Sequence, residues 1–276
     1  MGRWGKGIYQ SDGALDYFSL ISDRIEREFA FQFSPERVTA EYWWVIRIIK
    51  LVEVVLLLHQ HRVINVLYFD NLETVKRWQK TFFAVWDFDW KSTGNPPFDQ
   101  ITFRIEKRPI VERMFSQLES VVESWVKLSP LEIDLQTLLT PTSKDSISRF
   151  KTEDNLEYIL LDRFIFELIE QLVKDIIYWL SPEKRAELHS FFGGLDDPVV
   201  AVDVLGCLCD AYQTTPLMKA KVIRAWKDIY IQIMKEVYEA SKHELDETDE
   251  RFTTIVAAFD KLEMLAHKYP PEDWWD

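Results

Sequence analysis

Apolar residues recur at three- and four-residue steps through most of this chain, as in Phe164, Leu168, Leu172 and Ile176. That spacing gathers side chains on one face of an α-helix, whereas a half-buried strand needs alternation by two. Glycine hardly interrupts the pattern: there are eight in 276 residues, and four of them (Gly2, Gly5, Gly7, Gly13) fall in the opening stretch. The expected fold class is therefore all-α. Helices are expected at about 12–33, 34–61, 71–86, 108–128, 156–180, 181–192, 198–212, 215–242 and 249–268, with a short one after Ser129. Only Ile101–Ile105 offers a strand-like run.

Four of these starts share one chemistry. Ser34-Pro35-Glu36, Ser129-Pro130-Leu131-Glu132, Ser181-Pro182-Glu183 and Thr215-Pro216 each set a hydroxyl before a proline. The hydroxyl can accept a free backbone N–H, proline has none to lose at the first helical position, and an acid there meets the positive end of the helix dipole. Glu132 completes a capping box with Ser129.

Two stretches of the chain resemble one another in order. Phe33-Ser34-Pro35-Glu36-Arg37 matches Leu180-Ser181-Pro182-Glu183-Lys184, at an offset of 147. Lys76-Arg77-Trp78 matches Arg224-Ala225-Trp226 at 148, and Met114-Phe115-Ser116 matches Ala258-Phe259-Asp260 further on. The expectation is two degenerate, repeated helical units of about four helices each: 1–128, then a polar linker 129–155 with one short helix, then 156–276.

Charge separates the same two halves. Residues 1–125 carry 16 basic and 17 acidic side chains, while residues 126–276 carry 17 and 29, within a net charge of −13. An acidic surface repels phosphate backbones, so no nucleic acid is expected as a partner. It suits a basic protein partner, or it serves solubility alone. The aromatic content (18 Phe, 11 Trp, 10 Tyr) fits wide gaps between helices, or a partly exposed docking face. The most apolar run, Val45–Leu58, is broken by Arg47, Lys50 and Glu53, so it reads as a core helix and no membrane span is expected. Cys207 and Cys209, two apart in an apolar run, read as buried reduced thiols. With no apolar leader at the N-terminus, the expected location is cytoplasmic.

The chain carries no phosphate-binding glycine loop, no dinucleotide fingerprint, no nucleophile elbow and no H-E-x-x-H zinc motif. None of the five histidines has Glu three residues before it, as a di-iron bundle would need. His59-Gln60-His61 places two imidazoles on different sides of a helix, without a third ligand. The run Glu244, Asp246, Glu247, Asp249 and Glu250 lacks the central glycine of a calcium loop. It reads as a solvated helix connection, or as part of a partner-binding surface together with Trp274 and Trp275 of the C-terminal tail. No metal, no cofactor and no catalytic residue is expected.

The opening hook remains. Trp4-Gly5-x-Gly7 is followed by Asp12-x-Ala14-x-Asp16. Asp12 is placed to cap the first helix, and Asp16, one turn on, lies on the same side. Their carboxylates are expected to take backbone N–H groups around Gly5 and Gly7 and so to pin the loop while Trp4 is buried. The pattern resembles the signature W-G-x-G-x-F-x-N-D-x-A-x-D of a family of small, mostly bacterial proteins of unknown function, with Tyr9 in place of Phe and Ser11 in place of Asn. The resemblance covers residues 4–16. Members are generally shorter, like one half of this chain, and some are associated with toxin–immunity loci. The family supplies no catalytic residues. The expected function is therefore non-enzymatic binding of another protein, immunity-like towards a basic toxin or effector. The alternatives are a self-associating helical scaffold, with a homo-oligomer as its partner, and an enzyme whose site is assembled between the two units.

Overall fold

A computed structural model describes residues 12–39, 42–60, 72–87, 100–127, 163–184, 195–240, 246–248 and 250–271. The protein is all-α: among the described residues there is no strand. The long helices are α1 (Asp12–Gln32), α2 (Tyr42–Gln60), α3 (Leu72–Asp87), α4 (Gln100–Lys127), α5 (Arg163–Trp179), α6 (Asp197–Tyr212), α7 (Ala220–Ala240) and α8 (Glu250–Lys268).

Contacts divide the chain into two compact units. One comprises residues 19–153 and the other residues 1–18 with 154–276. The first turns of α1 therefore group with α5 to α8, although sequence alone placed residues 1–128 together. The proposed linker 129–155 lies outside the described residues.

In the unit of residues 19–153, α4 packs on α2 and α3. Its core is aromatic. Phe29 stacks on Trp78 with centroids 5.2 Å apart, Trp44 meets Phe82 at 6.0 Å, Phe82 meets Phe115 at 5.0 Å, and Trp86 meets Phe103 at 6.0 Å. Such rings fill the wide spaces between helices and add attraction through edge and offset contacts. The corner between α1 and α2 is closed by the Trp44 indole N–H, which donates to the Gln32 carbonyl at 2.9 Å. That bond occupies one of the carbonyls that a helix end leaves without a partner.

Two expectations in this unit are corrected. Ser34-Pro35-Glu36 does not begin a helix: the Arg37 and Val38 amides return to the Ser34 carbonyl at 2.9 and 3.1 Å in a single turn, and α2 starts at Tyr42. Ile101–Ile105 is not a strand but the start of α4, which runs through Pro109. The buried positions Phe103, Val111, Met114, Phe115, Leu118 and Val122 keep helical spacing. Pro109 is exposed, and Ile105, whose carbonyl it leaves without a helical N–H, is 70% exposed. Water can therefore satisfy that carbonyl, so the proline is tolerated there.

In the acidic unit α6 is central. Every residue from Pro198 to Cys209 except Asp203 is buried, and the helix packs on α5 and α8, while α8 packs in turn on α7. Tyr230 of α7 donates its hydroxyl to the Leu195 carbonyl at 2.8 Å and meets the Phe259 ring at 5.6 Å. Ser181 caps as expected, its hydroxyl oxygen accepting the Lys184 N–H at 3.3 Å. Thr215 does not. Its hydroxyl donates instead to the Tyr269 carbonyl, and α7 begins at Ala220. Between them Leu217 has φ 70°, unusual for a side chain with a Cβ.

Candidate functional site

Three residues of the opening hook, Trp4, Gly5 and Gly7, lie outside the described residues. Asp12 is the first residue of α1, and Ala14 is fully buried. Asp16 is exposed, and its charge acts on Asp197 of α6, which belongs to a group of acids.

That group is built from three directions. From α1, the Tyr17 hydroxyl donates to Asp175 Oδ2 of α5 at 2.8 Å, while Gln171 donates to the other oxygen at 2.7 Å. From the start of α6 come Asp196 and Asp197, just before Pro198. Asp196 is the N-cap, yet its buried side chain makes no cap bond and pairs with Arg251 of α8. Asp197 sits in the first turn, half-buried, facing the field of three further carboxylates. Burial, reinforced by Asp196, Asp16 and Asp175, pushes the Asp197 carboxyl up to about 7. Desolvation and like charges both disfavour the ionised form. The positive end of α6 offsets part of that cost. Sequence reading selected Asp16 and missed Asp175, Asp196, Asp197 and Arg251. The available signal was the Asp196-Asp197-Pro198 run, two acids where one cap suffices.

The second acidic stretch behaves differently. Asp246 accepts the Thr248 backbone N–H at 2.9 Å and its hydroxyl at 2.6 Å, a local turn that holds the Asp246 carboxyl below its ordinary value. Glu247 pairs with Lys235 at 2.8 Å, and the Glu250 carbonyl accepts the hydroxyls of Thr253 and Thr254. Glu244, Asp249, Trp274 and Trp275 lie outside the described residues. His59 lies in the last turn of α2, and His61 is likewise not described. Among the described residues no group of three or more His, Cys, Asp or Glu side chains is arranged to hold a metal ion.

Cys207 and Cys209 are free and buried in α6. Burial raises both thiols, Cys209 to about 12, so neither forms a reactive thiolate near neutral pH. An open basin of about 330 Å³ is lined by Lys219, Ala220, Ala266, His267, Pro270 and Pro271. None of these lining residues is a carboxylate. Among the described residues, no helix is long and apolar enough to cross a membrane.

Charge is the unit's plainest property. Residues 1–18 and 154–276 carry 15 basic and 27 acidic side chains. Several of the cations are already engaged within the unit: Lys174 with Glu170, Arg224 with Glu263, Lys227 with Asp260, Lys235 with Glu247 and Arg251 with Asp196. No family model, no curated protein and no solved structure matches the chain.

Proposed function

We propose that this protein acts without catalysis, by binding another protein whose contacting surface is basic. The observation that carries the reading is the charge surplus of the acidic unit, several of whose described cations are paired internally. Such a surface attracts a cationic partner over several ångströms beyond contact and speeds its association, an effect that salt weakens. An immunity-like role towards a basic toxin or effector is the specific form of this reading, and the resemblance of residues 4–16 to a family with some members at toxin–immunity loci supports it. The test is affinity capture with the full chain from its native cell, identification of what is retained, and titration of that protein over a range of salt. A basic protein bound more weakly at high salt agrees with the reading, and salt-independent binding contradicts it.

We further infer that the two units descend from one duplicated ancestor. Supporting this, α4 packs on α2 and α3 as α8 packs on α6 and α7. The aligned aromatic positions also repeat: Trp78 and Trp226 are both buried, and Phe82 meets Phe115 as Tyr230 meets Phe259. Independent folding and crystallisation of the two units would allow direct superposition, and unrelated helix paths would refute the duplication.

A further inference from the structure

Just beyond α8 the chain passes along the open basin. Thr215, fully buried, donates its hydroxyl to the Tyr269 carbonyl, and the Tyr269 amide returns to the Leu265 carbonyl at 2.7 Å. These bonds tie the connection between α6 and α7 to the end of α8. Beside them, Lys219 and Ala220 line the basin from the start of α7, Ala266 and His267 from the end of α8, and Pro270 and Pro271 from the chain that follows. We propose that this basin is the docking site of the next segment, Glu272-Asp273-Trp274-Trp275-Asp276, with a tryptophan ring seated over Ala220 and Ala266 and the acids set against Lys219 and His267.

Residues 272–276 lie outside the described residues, but their reach is fixed by what precedes them. Pro271 lines the basin itself, and Trp274 and Trp275 follow it by three and four residues. An extended chain spans at most about 3.6 Å per residue, which keeps both rings within about 14 Å of Pro271. Pro270-Pro271-Glu272-Asp273 also sets a proline at the second position of a four-residue turn, where its fixed φ favours reversal of the chain. Reversal brings the tryptophans back towards α7 and α8 instead of out into water. The basin's volume of about 330 Å³ falls at the lower end of ligand-pocket sizes.

The chemistry of the two sides is complementary. The segment carries three acids, two indoles and no cation. The basin offers the exposed Lys219 and His267, with Lys221 and Lys268 exposed next to them, and no carboxylate among its lining residues. The acid nearest His267, Glu263 at 3.8 Å, is itself engaged by Arg224 at 2.5 Å. Between the cations, two alanines and two prolines form an apolar floor with little side-chain bulk. An indole laid on such a floor removes apolar surface from water on both sides while its N–H stays at the wet edge. This gives the tryptophans a role within the chain, in place of contact with a partner.

Fluorine NMR on the full chain labelled with fluorotryptophan tests this. Trp274→Phe and Trp275→Phe assign the two signals, and a labelled peptide of residues 269–276 supplies their undocked positions. In the full chain one of the two signals should stand away from its peptide position and respond less than the peptide to exchange of light for heavy water. Lys219→Glu combined with His267→Glu, both at exposed positions, should return it to the peptide position. Two signals at their peptide positions in the parent chain would overturn the docking. A displaced signal that the double variant leaves unmoved places the ring elsewhere, and displacement that vanishes on dilution places it on a second copy; either result would overturn the basin as its site. Should the double variant fail to fold, Lys219→Glu alone should move the signal part of the way, and no movement would equally overturn the assignment.

Discussion

The hydroxyl of Tyr17 donates a 2.8 Å hydrogen bond to Asp175, 158 positions later in the chain. It joins the first helix to the unit formed by the last four, and it does so one residue beyond the hook that the sequence marks out. Removing the hydroxyl while keeping the ring isolates its contribution. Tyr17→Phe should lower stability by about 1 kcal/mol, in the range found for single neutral and charge-assisted hydrogen bonds. Urea denaturation followed by circular dichroism measures this, and a change near zero would mean that water replaces the bond without cost.

The acids around Asp197 predict an unusual pH dependence. Because the folded-state value of this acid is raised to about 7 from 3.8, its contribution favours folding at low pH and is lost as pH rises through that window. Asp197→Asn should therefore be more stable than the parent at about pH 8, by about 1–2 kcal/mol after discounting for solvent screening, with the difference shrinking towards about pH 5. Parallel urea titrations across that pH range would show it. A parent protein that gains stability as pH rises, with Asp197→Asn unchanged, would contradict the assignment.

The aromatic core predicts a sharp contrast between two rings of the same unit. Phe82 is fully buried and touches Trp44, Phe83, Trp86 and Phe115. Phe82→Ala should cost about 3–5 kcal/mol, since the lost contacts and the cavity add. Trp43 is 63% exposed. Trp43→Ala should cost less than about 0.5 kcal/mol, as exposed positions usually do. Thermal melts of the two variants side by side would decide, and equal losses would mean that Trp43 is covered in solution.

Cys207 and Cys209 should report unfolding. Both thiols are buried with raised values, so a disulfide reagent at neutral pH should react with neither in the native protein and with both in denaturant. Rapid native labelling would place α6 nearer the surface than the structure does.

Much of this architecture is legible in the sequence, for a physical reason. Helix periodicity and capping are local, so Phe164, Leu168, Leu172 and Ile176 announce α5, and the Ser181 hydroxyl meets the Lys184 amide three residues away. The readings that fail are those in which a distant partner outcompetes a local one. Thr215 looks like a cap, but its hydroxyl is taken by the Tyr269 carbonyl. Asp196 is an N-cap by position, but Arg251, 55 residues on, takes its carboxylate. The helix expected at about 108–128 begins instead at Gln100, and α4 passes through Pro109, an exposed position. The acidic group joins Asp16, Asp175, Asp196 and Asp197, which only folding brings together. Periodicity finds the helices, but it says nothing about which of their ends will meet.

The most direct test of the proposed function is the salt dependence of binding to the protein captured from the native cell, measured by calorimetry on the full chain. A companion variant neutralises the acidic run, with Glu244→Gln, Glu247→Gln, Asp249→Asn and Glu250→Gln together. The captured protein should be basic, and its affinity should fall by at least about tenfold between low and high salt, as a steered charged interface requires. The variant should bind more weakly and show a shallower salt dependence. Affinity that is indifferent to both salt and charge neutralisation would contradict the account.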